Sequence, residues 1–486
     1  MLLSRYHVCH FLKVNEKGIL SSPNPRSGKT LSAEVVNQVR CFYESDDISR
    51  IMPGKKDTVA VRVGNKKMAC QKRLILCNLD EAYRIFKDKY PELKIGFSKF
   101  AELRPKYCVL AGSSGTHSVC VCTIHQNVKL MMHAVDIPVF HSSYKQLLAA
   151  LTCNPGTLEC FLGECKICPN ADEMKQHILE EIEDEAIDEI GYKQWVSTDR
   201  STLQALTSGI DASTDQFIKK LLKVKRHEFI ADQEGRFLSH LKTKLMPGEV
   251  IVLGDFSENY GFVVQDASQS FHWTNDQVTL HPFVVYFTDN GNNLQHLNFV
   301  VISDHLIHDT VAVYCFQRKL HTYLAETCSE VRKVFYFSDG SSAQYKNRKN
   351  FANLTCHRQD FSSDAEWHFF ATAHGKGPCD RLGGTVKRLA AKASLQRPYE
   401  DQILKPYQLY LWAKENIQGI TFAYVDAAEV QQCAEFLQVR FAAAMTVQGT
   451  KQLHAFYPSP DQPTHIMVKR ISSEPNARSI RVLKQA

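Results

Sequence analysis

The sequence predicts an α/β protein, α+β overall, in which a mixed-sheet domain follows a basic helical region and a Cys/His-rich unit. Three observations carry this reading. Short apolar, β-branched runs recur from residue 249 onward and then alternate with helical stretches, the pattern of a sheet covered by helices. Six of the 16 cysteines fall between Cys120 and Cys168. Lysines and arginines crowd the segment from Arg50 to Lys106, while Glu180 to Glu189 is strongly acidic. The chain of 486 residues, 44% hydrophobic and 23% charged, is long enough for about two to four folded units with sizeable cores. That composition excludes a mainly disordered chain, a collagen and a coiled coil. No run reaches the roughly 18 consecutive apolar residues that a membrane span requires. Met1 to Val14 carries Arg5, His7 and His10 among its apolar residues, which makes a poor signal peptide, so an intracellular protein is expected.

Five segments follow. Residues 1–106 form the basic helical region, a candidate DNA-contacting surface or a solvated face. Within it, Leu31 to Glu44 has apolar positions at helical spacing, with Ser32 as N-cap. Asp57 to Val63 alternates like a strand, and Gly64-Asn65 offers a hairpin turn. Leu79 to Tyr90 is helical, and a short helix from Lys94 stops at Pro105. Residues 107–170 form the Cys/His-rich unit. Residues 171–246 read as a helical linker region, acidic first and then basic at Ile218 to Phe229, up to the breaker Met246-Pro247-Gly248.

Residues 247–397 hold strands at Glu249–Asp255, Tyr260–Asp266, His281–Phe287 and Leu297–Ser303, then a helix at His308–Thr327. A strand at Lys333–Asp339, a polar helix from Ser341 to His357, a strand at Glu366–Ala373 and a helix at Asp380–Ala393 complete it. Strands in hairpin order, then helix and strand in alternation, give the order of an RNase H-like domain, whose mixed sheet starts antiparallel and becomes parallel. Residues 398–486 read as a separate, small C-terminal α+β unit whose role the sequence does not reveal.

Three acids stand where strand-end chemistry wants them. Asp255 and Asp339 close two strands expected to lie side by side, and Asp380 opens the final helix. Three converging carboxylates repel one another, and a divalent cation relieves the repulsion. Hard carboxylate oxygens suit Mg²⁺ or Mn²⁺, and a pair of such ions serves in-line displacement at phosphorus. Asn259, Gln344, Lys346, Arg348 and Lys376 are donors or cations suited to a phosphodiester backbone. His374 either contacts the scissile phosphate or caps its strand.

In the cysteine-rich unit, Cys165-x-x-Cys168 has the knuckle spacing, and Cys122-x-x-His125 offers a second pair. Together they are expected to hold one structural Zn²⁺, with Cys120, Cys153 and Cys160 as alternates or as ligands of a second ion.

The strings VLGDFSENYGFVVQD, HWTNDQVTLHPFVVYF, FYFSDGSSAQYKNRKNF and FFATAHGKGPCDRLGGTVKR resemble a family of mostly uncharacterised transposon-derived animal proteins. That family itself resembles DDE/D transposases with an RNase H-like core. The segments PGKKDTVAVRVGNKKMACQKRLIL, KIGFSKFAELRPKYCV and GTHSVCVCTIHQN extend the resemblance over roughly residues 50 to 400. It implies Asp255, Asp339 and Asp380 as the metal-binding triad. The third place departs from the commoner Glu, which shortens the reach by one methylene.

The expected function is therefore that of a transposase-like, DNA-binding protein of the nucleus, imported from the cytoplasm, with metal-dependent phosphodiester cleavage or strand transfer. The alternative is a domesticated, non-catalytic, zinc-containing DNA-binding or protein-interaction protein. Expected partners are DNA, at element ends, and a second copy of the chain; no membrane and no small-molecule substrate is expected.

Overall fold

Ser32 caps the first helix by accepting a hydrogen bond from the Val35 N–H, so the helix starts where the cap motif places it. The structure is a computed structural model that describes residues 31–45, 48–52, 57–63, 66–75, 79–110, 122–141, 143–185, 187–197, 201–264, 276–289, 291–328, 330–372 and 377–484. It divides into two units, Met1–Val121 and Cys122–Ala486.

The first unit holds α1 (Ala33–Glu44), β1 (Ser49–Ile51), β2 (Thr58–Val63), β3 (Lys66–Gln71), β4 (Arg73–Ile75), α2 (Leu79–Lys89), α3 (Phe97–Glu102) and β5 (Cys108–Leu110). β1 pairs antiparallel with β4, which pairs parallel with β5; β2 and β3 form the expected basic hairpin. The core is aromatic. Phe42 meets Phe86 edge-on at 5.2 Å and Phe100 at 5.9 Å, and the buried Tyr43 hydroxyl donates to the Phe100 carbonyl at 3.1 Å.

The second unit begins with α4 (Thr123–Met132), α5 (Pro138–His141), α6 (Tyr144–Ala150), α7 (Leu158–Leu162), α8 (Ala171–Asp184), β6 (Glu189–Ser197), β7 (Ser201–Gly209) and α9 (Ile210–Lys244). Val128, Met131, Leu147, Ile178, Ile182, Phe217 and Leu221 share one core, so no boundary at residue 170 separates a cysteine unit from a helical linker. The linker is also not all helix. β6 and β7 pair from Glu189↔Gly209 to Ser197↔Ser201, with Ile190 and Tyr192 turned inward and their neighbours outward. α9 has 35 residues and spans about 52 Å. Its first half fills this core, and Phe237, Leu238 and Leu241 on its second half pack under the sheet that follows.

That sheet is built from β8 (Glu249–Gly254), β9 (Ser257–Gly261), β10 (Gln277–Thr288) and β11 (Leu294–Ser303). The chain continues through α10 (Thr310–Thr327), β12 (Lys333–Ser338), α11 (Arg348–Thr355), α12 (His357–Phe361), β13 (Asp364–Phe369) and α13 (Pro378–Leu395). It ends with α14 (Pro406–Asn416), β14 (Thr421–Val425), α15 (Ala427–Ala443), β15 (Ala455–Pro458), β16 (His465–Lys469) and β17 (Arg478–Arg481). The strand order is β14-β11-β10-β8-β12-β13-β15-β16-β17, with β9 paired to β10. β10 is antiparallel to β8 and β11, whereas β12 is parallel to β8 and β13. The mixed sheet therefore starts antiparallel and becomes parallel, as the strand pattern predicts.

Both faces of the central strands are buried, which is why they read as continuous apolar runs rather than alternating ones. Val252, Val285 and Tyr336 face the helices α10, α11 and α15, while Leu253, Val284 and Phe337 face α9, α13 and α14. The segment from residue 398 is not a unit apart. β14 adds in parallel to β11 at one edge, and β15 adds antiparallel to β13 at the other. Two further local readings shift. β9 lies earlier than Tyr260–Asp266, and residues 265 and 266 are outside the described residues. The helix expected from Ser341 begins only at Arg348, because the Asn347 side chain caps it by accepting from the Lys349 and Asn350 N–H groups. Among the described residues, no helix is long and apolar enough to cross a membrane.

Candidate functional site

Phe337 of β12 pairs in register with Leu253 of β8, so Asp339 and Asp255, two residues further on, leave the sheet together. Asp380 lies in the first turn of α13 and accepts a hydrogen bond from the Gly377 N–H at 3.0 Å. Close packing brings this helix to the strand ends. The Cys379 thiol donates to the Leu253 carbonyl at 3.3 Å. A Cβ at Gly383 would lie 2.6 Å from the Ser257 hydroxyl and 3.1 Å from its Cβ, so glycine there eases the close approach of α13 to β9.

The electrostatics fit a site to which the described residues bring no compensating positive charge. Burial, with the charges of Asp339 and Asp380 adding to it, pushes the Asp255 carboxyl up to about 7. Burial also raises Asp339, and the charge of Asp380 adds to this; a hydrogen bond from the Ser341 N–H opposes it. Among the described residues, no cation lowers either group. Beneath them, the buried Tyr345 hydroxyl lies 2.8 Å from His281 Nε2, and the charges of Asp255 and Asp339 join burial in raising its phenol. His281 is pushed down to about 3 by burial and is neutral there. It is a neighbour of the acids that the sequence does not flag, since a single His within an apolar strand carries no pattern. The oxygens of the trio do not all lie within 4.8 Å of one another, a spacing that two Cys/His groups in the same unit do meet.

The expected phosphate contacts divide. Asn259 is engaged internally, donating to the Leu306 carbonyl at 3.1 Å and accepting from Thr279 at 3.0 Å. The Gln344 backbone carbonyl accepts from the Thr310 hydroxyl at 2.9 Å, which fixes the turn that carries its side chain. Lys346 is buried rather than available, because its chain packs beneath the turn at Gly340, with its ammonium 5.2 Å from the Phe369 ring centre. Burial holds it down to about 8. Arg348 is exposed and lines a cleft of about 240 Å³ with Asp309, Asn347 and Lys349. His374 and Lys376 lie outside the described residues.

The thiols form a second centre. Cys153, Cys160, Cys165 and Cys168 bring their sulfurs within 4.8 Å of one another, with Cys153 Sγ 3.9 Å from Cys165 and 3.7 Å from Cys168. Gly163 makes this possible: at φ 81° it ends α7 in the left-handed conformation and turns the chain back toward Cys165. The Ile167 N–H then donates to Cys165 Sγ at 3.4 Å. Hydrogen bonds from Thr157 lower the Cys160 thiol, while the bond to Cys168 raises Cys153. Four sulfurs so placed can hold a metal ion such as zinc.

The four-ligand set expected from Cys122, His125, Cys165 and Cys168 is not brought together. Cys122 and His125 fall in a different group, joined by His227 of α9. The reason is the topology of α4 and α9, which pair across the helical core and place residue 227 over the N-terminus of α4. Cys120 lies outside the described residues.

Three family models match the chain, each described as a domain of unknown function: DUF8699 over residues 30–112, DUF8700 over residues 123–225 and DUF8701 over residues 234–472. The second takes in the four-cysteine centre, and the third takes in all three acids together with β15 and β16. No curated protein and no solved structure matches the chain.

Proposed function

We propose that the chain is a transposase-like protein that binds DNA and cleaves or transfers phosphodiester bonds at Asp255, Asp339 and Asp380, on an RNase H-like core. The observation that carries the reading is the pair of half-buried carboxylates just past the ends of adjacent parallel strands, each raised by burial and by neighbouring acid charge, with a third acid on the helix beside them. Such a donor set, all hard oxygen, fits Mg²⁺ or Mn²⁺. When bound, a pair of these ions activates the attacking oxygen and neutralises the leaving one.

The chain's own residues then have distinct tasks. Asp255, Asp339 and Asp380 would hold the ions. Tyr345 and the neutral His281 floor the site. The four cysteines hold a structural Zn²⁺ that staples the loop between α6 and α8. A cleft of about 380 Å³ lined by Trp195, Asn127, Lys219, Lys220 and Lys223 supports binding of a polyanion. DNA as substrate places the working protein in the nucleus.

A second reading, a non-catalytic DNA-binding protein, is favoured by the loose spacing of the three acids. The two separate in one experiment. The purified chain is titrated with Mn²⁺ in a calorimeter and incubated with supercoiled plasmid, beside Asp339→Ala. Mn²⁺ binding and plasmid nicking in the wild type, both lost in the variant, are expected. Plasmid binding that weakens steeply with salt, without nicking or a difference in Mn²⁺ binding, would establish the second reading.

A further inference from the structure

We propose that Cys122, His125 and His227 form a second zinc centre, distinct from the four-cysteine site and from the acids. The three donor atoms lie within 4.8 Å of one another, and Cys122 Sγ is 3.2 Å from His227 Nε2. A ring nitrogen of His125 also lies within 4.8 Å of the Cys122 sulfur, so one sulfur faces two imidazoles. His227 is buried, and its ring centre is 5.2 Å from that of His125.

The surroundings of His125 are those of a metal-ligating histidine. Its Nε2 lies 2.6 Å from Glu228 Oε2, on the side of the ring away from its other nitrogen. Glu228 is itself fixed, by the Tyr144 hydroxyl at 3.0 Å and the Lys145 ammonium at 2.9 Å. A carboxylate behind the ligating imidazole sets its tautomer and orientation, and here that carboxylate is held by two further groups. One thiolate with two imidazoles selects Zn²⁺ over Mg²⁺.

The same atoms invite comparison with a Cys–His–acid nucleophile. A nucleophile needs one base on its sulfur, and the second, buried imidazole of His227 has no part in such a device. As a metal ligand it has one: it ties the N-terminus of α4 to α9, residues separated by 105 positions in the chain. No covalent chemistry is implied; the ion replaces the thiol proton and is held as a staple.

The test is zinc content. The full chain, expressed in zinc-supplemented medium, is expected to carry two zinc ions, falling to one in His227→Asn and to one in Cys165→Ser, with helix content by circular dichroism retained. Zinc X-ray absorption on the wild type, which needs no variant to fold, is expected to show imidazole scattering beside thiolate. A single ion that His227→Asn leaves in place, or scattering from sulfur alone, overturns the proposal. So does a metal-free Cys122 that iodoacetamide alkylates rapidly in the purified wild type.

Discussion

Glu234 lies on α9 with 0% exposure and accepts hydrogen bonds from both the N–H and the hydroxyl of Ser472, the first at 2.9 Å. Burial pushes its carboxyl up to about 7, with the Ser472 bonds and the charge of Lys346 opposing. A carboxyl whose folded value is raised contributes stability below its unfolded value, near 4.3, and loses it as pH rises through the folded value. Lys346, held down to about 8, titrates above that window. Wild-type stability is therefore expected to fall between about pH 5 and pH 7. Glu234→Gln, which keeps both hydrogen bonds, is expected to make that slope shallower, leaving the part that the likewise raised Asp255 and Asp339 contribute, and to be more stable at pH 7.5 by on the order of 2 kcal/mol. Urea melts at three pH values check it, and parallel pH profiles for the two proteins would refute it. Glu234 is not legible in the sequence, where it is one acid on a mixed helix. The candidate triad is, because Asp255 and Asp339 end apolar runs and Asp380 follows a glycine-rich loop. His227 escapes notice because its two partners lie a hundred residues away, and a lone His on a basic helix carries no spacing signal.

Among the elements, the joint between α15 and α12 rests on a forked ion pair. Arg440 donates to Asp360 through Nη1 at 2.6 Å and Nη2 at 2.9 Å, and the Asp360 side chain is only 6% exposed. Removing one partner of such a pair leaves the other buried without compensation. Arg440→Met is expected to destabilise the protein by about 3 kcal/mol, and Arg440→Met with Asp360→Leu to recover most of the loss. Guanidinium melts of the three proteins decide it; additive losses in the double variant would show that the two residues act independently. At this scale the sequence was most informative where a run was buried on both faces, as in β8, β10, β11, β12 and β13. It was least informative at β6 and β7, where the acidic run before Ile190 conceals a two-residue alternation. Helix starts followed their caps, at Ser32 as expected and at Asn347 later than expected. The edge strands could not be placed in the sheet from local pattern, since β14 and β15 owe their positions to partners more than 80 residues away.

The whole second unit depends on those edges. β14 and β15 to β17 are not appendages but the completion of the sheet on both sides, and Phe456 lies in the same core as Val252 and Tyr336. A chain ending at Arg397, which a reading of the last segment as independent would permit, is expected to be insoluble or to melt without cooperativity. Expression beside the full chain, with a thermal melt of whatever is soluble, tests this; a cooperative melt in the shortened chain would restore the independent unit. The order of strands along the chain also sets a timetable. The Phe369 carbonyl of β13 meets His454, which comes 85 residues later. At about 5–20 residues per second, synthesis reaches that position about 4 to 17 s after β13 has been made. Through that interval β13 offers unpaired N–H and C=O groups along one side, to whichever strand is nearest, on its own ribosome or on the next.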